Sequence, residues 1–524
     1  MEHPELVVLF LLVAVAALTA LARILGVPYP ILLVLGGSLV GYAPGVPNVE
    51  LDPEIVLFIF LPPLLFNAAY FSSLRDLRRH LRPITLSAIA LVLLTTVAVA
   101  VIAHAGIAGV PWAAAFALGA IVSPTDPLAA TTIGRRLGVP RSMTAVIEGE
   151  SLVNDGTALV AYRTAVVAVG GSFDLLDATG DFVVSVAGGI AFGVVAGLML
   201  VRVFKWIVAD DVVGVVLSLA SGYIAYLPAQ ELGVSGVLAA VAVGLIVGRR
   251  SPELSTASSR LRGYAFWEVL VFLLNATLFV LVGLQLPAIL SGQEHSAAEL
   301  AGLGVLVSLV VIAVRLVWVF TVPHVIRAID RRPSQVVRRS TWRVRMVVGW
   351  SGLRGAVSLA AALALPAGFP ERGLLVFLTL CVIFATLVVQ GLTLPLLIRR
   401  LDIHDDGGGE QEVLHARREA TDAALAHLQR LGEEEWARED TVRRMTALYE
   451  FRNRRLRQRA GELSDGEEDD DLDERSHGYQ RMVREVLDAQ RRRVVELRDE
   501  GAISDDVLHV LERELDLEDQ RLDI

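Results

Sequence analysis

The chain has 524 residues, 54% apolar and only 20% charged, whereas a water-soluble globular enzyme needs about a quarter charged residues over its surface, so that class is excluded. The charge is also segregated, with 27 Lys+Arg against 22 Asp+Glu over residues 1–400 and 20 against 35 over residues 401–524. A lone cysteine, Cys381, excludes an intrachain disulfide and a thiolate metal site, and the lone lysine, Lys205, precedes Trp206 and so cannot serve the Gly-Lys-Ser/Thr loop of an ATP-driven pump.

In chain order, the acidic N-terminus MEHPE makes the first apolar run a membrane span rather than a secretory signal. A helix needs ~20 apolar residues to cross the hydrocarbon core. Thirteen runs are expected to do so, near 5–25, 28–42, 53–71, 83–104, 112–134, 142–170, 182–206, 211–228, 233–248, 265–290, 298–327, 343–366 and 371–399. The loops test the count independently. Arginines follow the first span (Arg23), the third (Arg75, Arg78, Arg79, Arg82), the fifth (Arg135, Arg136, Arg141) and the ninth (Arg249, Arg250, Arg260, Arg262). Arg202 and Lys205 close the seventh, seven arginines from Arg327 to Arg345 follow the eleventh, and Arg399 and Arg400 follow the last. The intervening loops have none, except for Arg372. Because Lys and Arg stay on the cytoplasmic side, this alternation predicts an outside N-terminus and a cytoplasmic C-terminus in a multi-pass cell-membrane protein.

Ionisable groups at membrane depth are costly and point to function. The acids that qualify are Asp126, Glu148, Glu150, Asp155 and Glu268, and the bases are Arg163, Arg315 and Arg354. Span 5 carries SPTDP, Ser123 to Pro127, whose two prolines remove backbone donors and break the helix. Span 12 is loosened by the glycines of GWSGLRGAVSLA around Arg354. The two breaks are seven spans apart, as in two inverted six-span repeats, 1–6 and 8–13, joined by span 7. Paired interrupted helices mark the substrate site of a secondary transporter. In span 6, EGESLVNDGTALV, Ser151 and Asp155 share one helical face, and Glu150 and Asn154 share the next. The first face suits a hard monovalent cation. The second can hold Arg354 in an ion pair, which leaves Asp155 free to bind either a proton or a cation. The alternative is an Asp155–Arg354 pair of purely structural role.

FLPPLLFNAAY (60–70), SPTDP, GESLVNDGTALV, FWEVLVFLLNATLFVLVGLQL (266–286) and GLRGAVSLA (352–360) resemble, in this order over residues 1–400, the monovalent cation:proton antiporter family. That family includes bacterial Na⁺/H⁺ antiporters of the NhaP type and the animal and plant Na⁺/H⁺ exchangers. The resemblance implies a homodimer with a scaffold of spans 1–3 and 8–10 and a mobile core of spans 4–6 and 11–13, in which the broken helices 5 and 12 cross. It implies a secondary antiporter and not an enzyme, without cofactors. Such a transporter exports Na⁺ or Li⁺ against inward H⁺ by alternating access and serves pH homeostasis. By the same resemblance Asp155 carries ion and proton, and Asn154 belongs to the Asn-Asp pair of electroneutral exchange. Thr125, Asp126 and Ser151 lie at the ion site, Na⁺ being held by Asp155, Ser151 and Thr125. Glu150 and Arg354 form the structural ion pair. Asn67 stands where several relatives have an acid near the ion. Glu148 is expected at the domain interface, and Arg163 and Arg315 to serve packing or a helix break.

Residues 404–524 are expected to form a small acidic helical cytoplasmic region after the antiporter domain, 1–403, with GELSDGEEDDDLDE (461–474) as a solvated linker. FRNRRLRQR (451–459) reads as a solvated helix face, or else as a contact for anionic lipid or the acidic run. Nothing suggests nucleic acid. A K⁺/H⁺ or broad-specificity monovalent cation antiporter would use the same oxygen ligands. An intramembrane serine protease built on GWSG, with Ser351 as nucleophile, would need a histidine base at its depth, and the one span histidine far from the cytoplasmic side, His104, lies near an outer end. A channel has no use for a titratable carboxylate between two helix breaks.

Overall fold

Residues 4–42, 53–170, 175–207, 211–291, 296–329, 341–405, 408–459, 467–500, 502 and 504–522 are described in a computed structural model of the protein. They form helices and no strand. Two compact units divide the chain, Met1–Asp405 and Asp406–Ile524.

In the first unit, helices stand at each expected apolar run. Among the described residues, seven are long and apolar enough to cross a membrane by length and composition, including Leu81–Gly106, Trp112–Arg136, Ala297–Ile326 and Arg372–Arg400. Thirteen were expected, and two of the remainder show why that criterion selects fewer. Tyr29–Gly41 has only 13 residues. Arg141–Val169 has 29, but it carries Glu148, Glu150, Asn154 and Asp155 and turns them into the protein, where hydropathy is no guide.

Two sets of helices pack mainly among themselves. In one, Tyr29–Gly41 lies along Ala257–Ser291, and Gly236–Leu254 lies against Pro53–Tyr70 and Leu175–Ile207. Gly37 and Gly41 are needed there. A Cβ on Gly37 would fall on the Val280 carbonyl, and one on Gly41 would come to 2.7 Å from the Leu284 carbonyl. Small residues let backbones approach where lipid offers no hydrophobic drive. In the other set, Trp112–Val122 packs between Leu81–Gly106 and Arg141–Val169, and Ala297–Ile329 packs on Trp342–Trp350 and Arg372–Ala385. The sets meet where Pro53–Tyr70 and Gly236–Leu254 face Arg141–Val169, and where Ala356–Leu363 faces Pro53–Tyr70.

The second unit consists of two helical hairpins, Gly408–Leu431 with Glu439–Arg459 and Glu467–Asp499 with Asp505–Leu522. Leu428, Leu487 and Leu508 are buried in them. The expected acidic linker is corrected in part: 461–466 lie outside the described residues, but 467–474 open the helix Glu467–Asp499. Acidic side chains suit a helix N-terminus, where the backbone dipole is positive. The basic run 451–459 lies in the helix Glu439–Arg459, where buried Asn453 donates to Asp422 Oδ1 at 2.5 Å.

Candidate functional site

The first break separates Trp112–Val122 from Pro127–Arg136. The second separates Trp342–Trp350 from Ala356–Leu363. They touch, the Asp126 backbone N–H donating to the Leu353 carbonyl at 2.8 Å. Four half-helix ends thus converge, two with unpaired N–H groups and two with unpaired carbonyls.

Charged side chains answer them. Asp126 caps its own half-helix, its Oδ1 accepting from Leu128 N at 2.9 Å. It also takes a backbone hydrogen bond from Ala356, at the start of the second half-helix. One carboxylate therefore serves both positive ends. Gly355 makes the approach possible, because a Cβ there would overlap Asp126 Oδ2. At the negative ends, Arg354 Nε donates to the Val122 carbonyl at 3.0 Å and Nη1 to the Gly352 carbonyl. Arg315 Nη2 reaches the Val348 carbonyl at 3.3 Å.

Arg315 also corrects the expected pairing. Its Nη1 contacts Glu150 Oε1 in a buried ion pair, both side chains being at most 3% exposed. Glu150 was expected to hold Arg354, whose guanidinium is instead turned to backbone carbonyls, near enough to Glu150 only to feel its charge. The sequence offers three arginines within the apolar spans, and helical spacing cannot say which distant arginine arrives. Arg163, the third, donates to Gln230 Oε1.

The remaining expected residues gather at the first break. Ser151 Oγ donates to the Thr125 carbonyl at 2.8 Å, and Asn154 Nδ2 donates to Thr125 Oγ1 at 2.9 Å. Thr125, Ser151, Asn154 and Asp155 are all buried. Asp155 is the exception in this network. Among the described residues no donor hydrogen-bonds its carboxylate and no base pairs with it, and Asp126 is the charge beside it. Asp155 lines a cavity of about 270 Å³ together with Thr125, Asp126, Ser151, Asn67 and Ser358. At the rim, Arg135 and Glu148 form an ion pair at 2.6 Å. Asn67 is thus where an acid could have faced the ion. Ser358 is a lining residue that the sequence reading missed. Ser351, the nucleophile of the protease alternative, donates to the Val347 carbonyl at 2.7 Å, and His104 is bonded to Val110 and stacked on Trp112.

Residues 9–400 match the family model described as sodium/hydrogen exchanger, transmembrane. The chain belongs to the sodium/hydrogen exchanger family. An uncharacterized Na⁺/H⁺ exchanger of Mycobacterium tuberculosis (strain ATCC 25618 / H37Rv) is 37% identical over 98% of this chain and 96% of its own. The Na⁺/H⁺ antiporter ApNhaP of Aphanothece halophytica is 33% identical over 81% and 80%. A sodium, potassium, lithium and rubidium/H⁺ antiporter of Bacillus pumilus (strain SAFR-032) is 32% identical over 81% of this chain and 65% of its own. The solved sodium proton antiporter MjNhaP1 of Methanocaldococcus jannaschii shares the fold, with a TM-score of 0.59 at 20% identity, over 76% of this chain and 99% of that one. The exchangers are secondary transporters, so this membrane protein is a transporter and not an enzyme.

Proposed function

We propose that the chain exchanges cytoplasmic Na⁺ or Li⁺ for external H⁺, one for one, with Asp155 as the shared carrier. The observation that carries this reading is the isolation of Asp155, which lines the cavity, while the other buried charges around the two breaks are engaged: Glu150 with Arg315, Asp126 with two half-helix N-termini, and Arg354 with two carbonyls. A buried carboxylate needs a counter-charge. H⁺ and Na⁺ can each supply one, and they exclude each other, which is what coupling requires. Thr125 and Ser151 offer Na⁺ further oxygen, and Asn154 holds Thr125 in place. No cofactor enters the scheme.

The cavity rim at Arg135 and Glu148 belongs to the end of the helices that the arginine pattern assigns to the cytoplasm, so this geometry corresponds to an inward-facing state. Alternating access then moves the set containing the broken helices against the set containing Pro53–Tyr70 and Gly236–Leu254, in a homodimer of thirteen-span protomers with the C-terminal unit in the cytoplasm of a cell-membrane protein. The pattern of use is pH and Na⁺ homeostasis.

The test is proton flux in proteoliposomes with an imposed pH gradient and added Na⁺, Li⁺ or K⁺. Na⁺ should dissipate the gradient in wild type and leave it intact with Asp155→Asn, in protein that still elutes as a folded oligomer. Normal exchange by Asp155→Asn would overturn the mechanism, and a response to K⁺ alone would change the substrate.

A further inference from the structure

We propose that Ser358, on the half-helix after the second break, is a cation ligand that the first break cannot supply. The inference rests on the exchange reading above and deepens it. Ser358 is 1% exposed, yet its Oγ has no hydrogen-bond partner and lines the cavity that holds Asp155.

Several buried hydroxyls elsewhere in this protein are paired within their own helix, although Thr19 Oγ1 is, like Ser358, without a partner. Thr96, Ser221, Ser308 and Thr379 each donate to the carbonyl four residues back, at 2.7–2.9 Å. Ser358 cannot follow them. It is the third residue of Ala356–Leu363, so the residue four back, Arg354, lies in the break and not in a helix. An orphaned buried hydroxyl is destabilising, which is tolerated where a ligand satisfies it.

The surroundings select a cation. Asp155 brings the charge to the same cavity. Ser151 Oγ and the Thr125 carbonyl are bonded to each other but keep lone pairs. These oxygens come from Arg141–Val169 and the first break, so on their own they reach an ion from those elements only. The half-helix Ala356–Leu363 packs against Pro53–Tyr70, which carries Asn67 where an acid could have completed the shell. A neutral oxygen from Ser358 adds a ligand from the second break and leaves the site with one negative charge. It also makes ion binding depend on both broken helices staying in register.

The experiment compares full-length wild type, Ser358→Ala, Ser358→Cys, Ser358→Thr and Asp155→Asn in proteoliposomes, with thermal unfolding in detergent with and without Na⁺. Ser358→Ala should raise the Na⁺ concentration for half-maximal flux about tenfold, the worth of one such ligand, with the maximal rate within about twofold. Ser358→Cys should behave alike, since sulfur is a poor ligand for a hard cation, and Ser358→Thr should resemble wild type. Without Na⁺, Ser358→Ala should unfold no earlier than wild type, because an unpaired hydroxyl has been removed; a merely structural serine would lower that temperature and leave the half-maximal Na⁺ unchanged. Unchanged half-maximal Na⁺ in Ser358→Ala and Ser358→Cys, with active wild type and silent Asp155→Asn, would overturn the assignment alone. Wild type without Na⁺-dependent flux but with Na⁺ stabilisation lost on Ser358→Ala would overturn the exchange reading and keep the ligand. Neither flux nor stabilisation by Na⁺ in wild type would overturn both.

Discussion

A side chain that must release one cation to accept another cannot have a permanent counter-ion, and in this site that condition sorts the acids. Glu150 is held by Arg315 in a pair at most 3% exposed, which makes it structural, whereas Asp155 has no such partner. Breaking a buried pair strands a charge, at a cost of roughly 3–5 kcal/mol. Arg315→Ala should therefore lower the unfolding temperature or abolish folded protein, and adding Glu150→Gln should recover much of the loss. Arg354→Ala should cost less, since it leaves carbonyls and not a carboxylate unpaired. Thermal unfolding of the three variants in one detergent checks the order, and an equal loss for both arginines would contradict it. The acids were legible in the sequence because Ser151, Glu150, Asn154 and Asp155 are close in the chain and helical spacing assigns their faces. The pairing of Arg315 was not, because the contact spans 165 positions and nothing local in its own helix points to Glu150. Ser358 was invisible for another reason: a serine in a membrane helix normally back-bonds, and only the exact start of the half-helix denies it that carbonyl.

At the scale of elements, both breaks were legible, one from Pro124 and Pro127, the other from Gly349, Gly352 and Gly355. What each break does for the other was not, since it depends on backbone ends meeting in space. Asp126 serves the N-termini of both distal half-helices, and Arg354 the C-terminus of the first proximal one. Gly355→Ala tests that crossing. Its Cβ would overlap the Asp126 carboxylate, so the carboxylate must leave one helix end or the breaks must separate. We expect loss of Na⁺-dependent flux with helical content retained by circular dichroism, and wild-type flux would show that the contact is dispensable. In the C-terminal unit, Arg491 ties Glu467–Asp499 to Asp505–Leu522 through Asp516 at 2.9 Å and Asp519 at 3.1 Å. The hydrogen bond that Arg491 donates to Asp519 leads in pushing its guanidinium above the ordinary range. A raised base contributes stability below its unfolded value, so the contribution is present throughout neutral pH and is lost only in strong alkali. Salt is then the informative variable, because exposed ion pairs are screened. Amide exchange in Asp505–Leu522 should quicken with Arg491→Ala at low salt, and the difference should fade near 0.5 M salt, on the order of a 4 Å screening length.

For the whole molecule, the sequence marked the membrane block through the segregation of its charge and the alternation of its loops, and the exchanger family match over 9–400 covers the same block. Among the described residues, length and hydropathy select seven crossing helices, because several apolar helices such as Tyr29–Gly41 are short and Arg141–Val169 carries polar and acidic residues. The buried charges also bear on how exchange responds to membrane voltage. Glu150 and Arg315 cancel, and Asp126 and Arg354 offset each other across the crossing half-helices. Asp155 is left as the single negative charge, which on the proposed exchange would be neutralised by either H⁺ or Na⁺. If the loaded site is what crosses the field in each direction, no net charge moves. Transporting one charge through 100 mV would change the driving energy by about 2.3 kcal/mol, roughly fiftyfold in an equilibrium. We therefore expect the Na⁺-dependent collapse of a pH gradient to proceed at the same rate whether vesicles are held at 0 or −100 mV with valinomycin and K⁺. An acid restored at the empty position, Asn67→Asp, would add an uncompensated charge to the same cavity and should make the rate voltage-dependent. A voltage-sensitive wild type would mean that a second charge travels with Asp155, and Glu148 at the cavity rim, paired to the exposed Arg135, is the acid placed to supply it.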